Sequence, residues 1–270
     1  NKHDPYSDIG LVSAQGNGEI INLTNSGYSS GSPSFALDGN AILFTTERYG
    51  MRAHASWGSL DDAMLVFLNQ DAYDKFSLSK EDYELYKEAN SDRKKVAAKD
   101  SSKVKDVVVE LKNIEDRIVR LTPNSSNMGS TLISKDGKAL YYLASTESGR
   151  NLWKMDLNKK ETKLLHKVDA GWTSLEMDKE GKTLFILNGK NMQKMNLASD
   201  DLKPIKYLAQ VKLDLSAERE YMFDHVYKQQ QKRFYNTNMH GVNWDAMTAA
   251  YRKFLPHIDN NYDFAELLSA

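Results

Sequence analysis

Cysteine is absent from all 270 residues. This rules out disulfides, thiolate nucleophiles and cysteine metal ligands together, and it suits cytoplasm and periplasm alike. Excess charge is also missing, since 36 Lys and Arg stand against 37 Asp and Glu for a formal net charge of −1. Phosphate recognition usually leaves a basic field, so nucleic acid is not an expected partner. No apolar run approaches the ~20 residues of a membrane helix, and no membrane partner is expected. The chain opens at Asn1 without an initiator Met or a charged-then-apolar leader, so a signal peptide is expected to be absent or removed. It stops at Leu267-Leu268-Ser269-Ala270, part-way through a helical pattern, and so reads as an excerpt.

The length and the 40% hydrophobic content allow one large or two ordinary domains with a real core. Within the first two hundred residues a unit repeats. Ser32-Pro33-Ser34-Phe35-Ala36-Leu37-Asp38-Gly39 aligns with Ser130-Thr131-Leu132-Ile133-Ser134-Lys135-Asp136-Gly137 and with Ser174-Leu175-Glu176-Met177-Asp178-Lys179-Glu180-Gly181. Each copy is an alternating strand, an acidic-glycine turn and a second strand rich in β-branched and aromatic residues. Asp-Gly between such strands predicts a tight primed hairpin turn. Asn151–Leu157 and Asn191–Leu197, with a weaker match at Asp8–Ser13, supply a third strand, and Thr162–Leu165 exemplifies a fourth. Gly137 and Gly181 are 44 residues apart, the period of a four-stranded propeller blade.

Three blades are therefore predicted at 27–122, 124–168 and 170–208, preceded by the tail of another at 1–24. Gly39 and Gly137 are 98 residues apart, so the first of these blades holds an insertion, about residues 70–106. From Asp74 to Lys105 that insertion is dense in Lys, Glu and Asp, with Ser79 as a helix N-cap. Its mixed signs read as a solvated helical excursion, with a charged partner-binding arm as the alternative.

After Leu213 the period changes to 3.6 residues. The fold class is therefore mainly β with a C-terminal α segment: blades over 1–210, then a helical domain over 211–270. Ser216 is expected to cap a first helix whose stripe runs through Ala217, Glu218, Met222, Phe223, Val226, Tyr227 and Phe234. A second starts at an Asn243 cap, presents Trp244, Met247 and Tyr251 on one face, and ends near Pro256. A third begins near Asp263, with Glu266 three residues on as in a capping box.

Candidate chemistry is sparse. His240 in the loop Tyr235–Val242 reads as a loop histidine contacting backbone or water, with Gly241 making the turn. His225 and His257 share no helical face with it, and no HExxH or HxH spacing exists, so neither metal nor cofactor is expected. Asp224 and His225 are neighbours on a helix and diverge by about 100°. No serine occupies a nucleophile elbow, because Gly31-Ser32-Pro33 and Gly58-Ser59-Leu60 read as blade turns. No catalytic residue is assigned within the chain.

Four stretches together resemble the tricorn protease family, specifically its bacterial tricorn-like serine peptidases. They are "SPSFALDGNAILF" from Ser32, "RYGMRAHASWGSLDD" at Arg48–Asp62, "LKNIEDRIVRLTP" at Leu111–Pro123, and the helical sequence from Glu218 to Leu268. The blade pattern alone is shared with TolB-type propellers. The resemblance implies the end of a second propeller followed by the start of a first core domain. It implies peptide substrates, PDZ and catalytic serine domains elsewhere in the same polypeptide, homo-oligomers, and a cytoplasmic location with the periplasm as alternative. It places the catalytic histidine and serine beyond Ala270. The competing reading is a non-catalytic, TolB-like propeller that binds a protein or peptide.

Overall fold

The computed structural model describes residues 6–16, 18–52, 54, 58–90, 107–145, 149–168, 173–189 and 191–270. The chain divides into two compact units, Asn1–Lys206 and Tyr207–Ala270. The first is built of antiparallel sheets, each made of consecutive strands. A two-stranded sheet joins β1 (Gly10–Leu11) to β2 (Ile21–Asn22). The first four-stranded sheet runs β3 (Ser30–Ala36), β4 (Ala41–Thr46), β5 (Asp62–Phe67), β6 (Ile118–Arg120). The second runs β7 (Asn127–Ile133), β8 (Ala139–Ser145), β9 (Arg150–Asp156), β10 (Glu161–Lys167). The third runs β11 (Thr173–Met177), β12 (Thr183–Asn188), β13 (Asn191–Asn196), β14 (Leu202–Ile205).

Strand alternation explains why these sheets stack. Side chains of a strand point to opposite faces in turn, so a strand sandwiched between two sheets must be apolar at every position. Ala41, Leu43, Ala63, Leu65 and Phe67 pack on Met128, Leu140, Tyr142, Ala144 and Met155 of the second sheet. The intervening Ile42, Phe44, Met64 and Val66 pack the other way, with Ile9 and Leu23 beside the two-stranded sheet. Ala139, Tyr141 and Leu143, on the second sheet's other face, meet Leu175, Leu184, Ile186 and Met195 of the third. This face-to-face succession of short four-stranded sheets is a partial β-propeller. β12 alternates buried Leu184 and Ile186 with the 43% exposed Leu187, so the third sheet has one covered face.

The hairpins differ from the primed turn expected of Asp-Gly. That turn needs φ > 0 at both central residues, whereas in the second and third hairpins only the glycines have it, Gly137 at 71° and Gly181 at 73°. The Gly137 N–H closes a turn on Ser134 O, and the Ser134 hydroxyl accepts from the N–H groups of Lys138 and Ala139. The Asp178 carboxylate does the same for Lys182 and Thr183. The side chain that begins the turn thus secures the loop, and the loop can be longer than two residues. A Cβ on Gly137 would fall 2.8 Å from Leu37 Cδ2, and one on Gly181 would fall 2.8 Å from Lys135 Cβ. Each glycine therefore also admits the side chain of the preceding sheet's turn.

The insertion leaves the first sheet between β5 and β6. It forms α1 (Gln70–Ser77), capped by Asn69, and α2 (Lys80–Ala89), capped by Ser79 as expected. Order therefore begins at Asn69, ahead of Asp74, because Tyr73 and Phe76 of α1 pack on Phe67 with ring centroids 5.7 and 5.0 Å away. The expected solvated linker, residues 91–106, lies outside the described residues, as does part of the stretch Arg48–Asp62. Gly31-Ser32-Pro33 is not a blade turn. It lies inside β3, where the register shifts between Gly31 and Ser34, and such a bulge accommodates proline inside a strand. Asp8–Ser13 yields only the two-residue β1.

The second unit holds α3 (Leu215–Arg233), α4 (Trp244–Arg252) and α5 (Asn261–Ser269). The cap of α3 is Asp214, not Ser216: its carboxylate accepts from the N–H groups of Ser216 and Ala217. Asn243 caps α4 as expected. α5 starts earlier than Asp263, because Asn260 accepts from the N–H groups of Tyr262 and Asp263 while its amide donates to the Asp263 carboxylate. The acid facing the cap is therefore Asp263, not Glu266. On α3 the buried line is Arg219 and Phe223 with Tyr227 half-buried, while Met222 and Val226 stay 36% and 41% exposed. The expected apolar stripe is replaced by a seam that contains an arginine.

Candidate functional site

A groove of about 720 Å³ is lined by β3 from Ser32 to Ala36, β7 from Gly129 to Ile133, and β11 from Leu175 to Met177. The repeat places equivalent residues side by side. Phe35, Ile133 and Met177 occupy the same position of the three copies, four residues before the turn glycine, and all three line the groove. Phe35 is 64% exposed, an apolar ring presented to solvent. Lys135 and Asp178 stand where the lining reaches the hairpin turns, and Glu176 adds a second carboxylate.

Two features hold the wall open. β7 shifts register between Met128 and Thr131, one residue earlier in the repeat than the shift in β3, so both strands bend at nearly the same place. Ser130 Oγ accepts from Leu175 N at 3.2 Å and ties β7 to β11. A first strand at the edge of its sheet presents backbone N–H and C=O groups that an extended chain can pair with. The groove thus combines apolar rungs and edge backbone with three charged side chains, Lys135, Glu176 and Asp178. No histidine is among the groove's described lining residues.

At the far end of the first sheet, Asp62 is fully buried and accepts from Arg120 Nε at 3.0 Å, Thr122 Oγ1 at 2.8 Å and Ser125 Oγ at 2.7 Å. Its neighbour Asp61 is pushed up to about 6 by burial, then by the charges of Glu47 and Asp62. Gly50 lets this loop close, because a Cβ there would fall 1.7 Å from Leu60 O.

The outer turns of the second and third sheets reach back to earlier elements. Lys160, at φ 59°, sets its ammonium 4.5 Å from the centre of the Phe76 ring on α1. Asp200, at φ 57° in the next outer turn, pairs with Lys154 at 3.3 Å and Lys163 at 2.9 Å, and its carbonyl meets His166 Nε2 at 2.8 Å. Partial burial raises the Asp200 carboxyl, but hydrogen bonds and charge from the two lysines hold it below its ordinary value.

In the helical unit His240 is a loop residue as expected, with φ 55°, and the partners the structure shows are side chains. Its Nε2 meets the Tyr235 hydroxyl, and its ring lies edge-on to Phe234 at 5.6 Å. Asp224 pairs with Arg252 while His225 stacks on Tyr221, so the two neighbours diverge. Trp244 stacks on Tyr227 at 6.2 Å. Sequence reasoning passed over Arg219, which is 7% exposed and donates to Ile258 O at 3.3 Å and Asp259 O at 2.6 Å. A charged residue on the seam of a helix was the available signal. Among the described residues no group of three His, Asp or Glu could hold a metal, and no helix is long and apolar enough to cross a membrane.

Residues 215–270 match the family model of the Tricorn protease C1 domain. A crystal structure of the tricorn protease matches 99% of this chain and 26% of its own, at TM-score 0.68 and 11% identity. TolB from Acinetobacter baumannii matches 73% of this chain and 37% of its own, at TM-score 0.46 and 13% identity. The β-propeller domain of the Trilobed protease from Pyrococcus furiosus matches 67% and 43%, at TM-score 0.37 and 12% identity. No curated protein matches the chain. The helical unit thus matches the tricorn C1 model, and the chain resembles the tricorn protease in fold over nearly all its length while spanning about a quarter of that protein.

Proposed function

We propose that this chain is part of a tricorn-like serine endopeptidase, in which it walls a peptide channel and braces a catalytic centre carried elsewhere in the polypeptide. The observation that carries the reading is the groove in which Phe35, Ile133 and Met177 repeat at one position beside edge strands. The tricorn C1 match supports assigning it to a peptidase. In such an enzyme a serine attacks the peptide carbonyl, a histidine takes its proton, and backbone amides hold the oxyanion. The chain's own residues do the earlier work: the groove receives an extended peptide through backbone pairing and apolar contact. Peptide substrates, the PDZ and serine domains, homo-oligomers and a cytoplasmic location belong to the same proposal.

Photo-crosslinking of an extended peptide tests the channel. Adducts are expected within 32–36, 129–133 and 175–178, and Phe35→Ser should weaken them. Adducts confined to other surfaces would remove the channel from the account. The competing reading, a binding propeller without catalysis, draws on the repeated blades and on a groove lined by no described histidine. The natural reading frame separates the two: a Ser-His pair soon after Ala270 and a later serine domain select the peptidase.

A further inference from the structure

A buried guanidinium usually needs an anion, because a desolvated charge is costly unless paired and hydrogen-bonded. Arg219 has no ion pair among the described residues. Its two described acceptors are carbonyls of consecutive residues, Ile258 and Asp259, some forty positions along the chain. Its Nε is buried without a partner. A cation held this way contributes poorly to stability for its cost, but it is well suited to fixing geometry. The planar fork reaches two carbonyls at once, which a lysine ammonium on a flexible stem cannot reproduce.

What the fork holds is the entrance to α5. Asn260 follows at once and caps that helix through the N–H groups of Tyr262 and Asp263. The line of contact therefore runs from α3 through Arg219 to the 258–259 backbone, then through the Asn260 cap into the heading of α5. Phe223, one turn after Arg219 on α3, and Phe264 on α5 are the buried aromatics of the unit. Arg252 lies over the Phe223 ring at 5.2 Å and pairs with Glu220 and Asp224, so those two acids of α3 are engaged by Arg252 and not by Arg219.

We infer that Arg219 is a positioning residue that sets the start and direction of α5, and through it the placement of whatever follows Ala270. The catalytic part of this inference rests on the peptidase reading above. The natural polypeptide carrying this chain is the test object, as wild type, Arg219→Lys and Arg219→Met. Both variants should raise amide exchange at residues 258–266 above that of α3 and α4. With a fluorogenic peptide, kcat should fall about 10- to 100-fold with KM unchanged, the scale of a small misplacement near a reacting group. Arg219→Lys keeps the charge and should fall between the other two. Wild-type exchange and kcat in Arg219→Lys and Arg219→Met would overturn the inference, as would exchange rising evenly across the unit. If the wild-type polypeptide cleaves nothing, the peptidase reading fails and the exchange pattern alone decides the role of Arg219.

Discussion

Gly137 and Gly181 do two jobs that no other residue can combine. Each sits in the left-handed region, and each faces a side chain of the preceding turn at a distance that a Cβ would violate. Gly137→Ala should cost about 1–2 kcal/mol from the backbone alone, with more from Leu37. The double variant Gly137→Ala, Leu37→Ala should recover the steric part and leave the backbone part, read by chemical denaturation. Asp61 gives a pH prediction. Its folded value of about 6 lies above the ordinary 3.8, so the folded state holds the proton more tightly. Its contribution is therefore most favourable below 3.8 and is lost as pH rises through about 6. The melting-temperature difference between wild type and Asp61→Asn should fall across that window, and a flat difference would contradict the burial argument. The turn glycines were legible in the sequence because acidic-glycine punctuation, Asp136-Gly137 and Glu180-Gly181, is local. Asp61 and Arg219 were not, because burial depends on which distant strands and turns surround a residue.

Elements are joined by a device that repeats although its chemistry does not. The outer turns of the second and third sheets each place a non-glycine residue at positive φ and aim its side chain back along the stack, Lys160 at Phe76 of α1 and Asp200 at Lys154 and Lys163 of the second sheet. Asp200→Asn keeps a residue that tolerates this backbone but removes the charge. It should cost about 0.2–1 kcal/mol, as expected for partly exposed pairs, and the loss should shrink in high salt. A loss insensitive to salt would assign the turn's role to its backbone. Helix starts were partly legible. Ser79 and Asn243 were visible as caps, but at α3 and α5 the capping residues are Asp214 and Asn260, each ahead of the expected start. Several cap-forming residues cluster at both places, and sequence alone does not say which one leaves helical geometry.

Over the whole molecule, the stacking of sheets grades the cost of substitution. Leu65 lies fully buried in a strand covered on both faces, so Leu65→Ala should cost about 2–5 kcal/mol. Leu187, on the open face of β12, should cost much less. Equal losses, measured by denaturant unfolding, would contradict the layer order. The blade architecture was legible because the 44-residue period and strand alternation both survive in the sequence. The groove was not legible. Its rungs at Phe35, Ile133 and Met177 emerge once the repeats are stacked in space. The most direct measurement compares hydrolysis of one fluorogenic peptide by the natural polypeptide and by residues 1–270 alone. Cleavage by the polypeptide, blocked by a serine-reactive phosphonate, with none by the 270-residue chain, is the predicted result. Cleavage by residues 1–270 alone, or none by the polypeptide, would contradict the account.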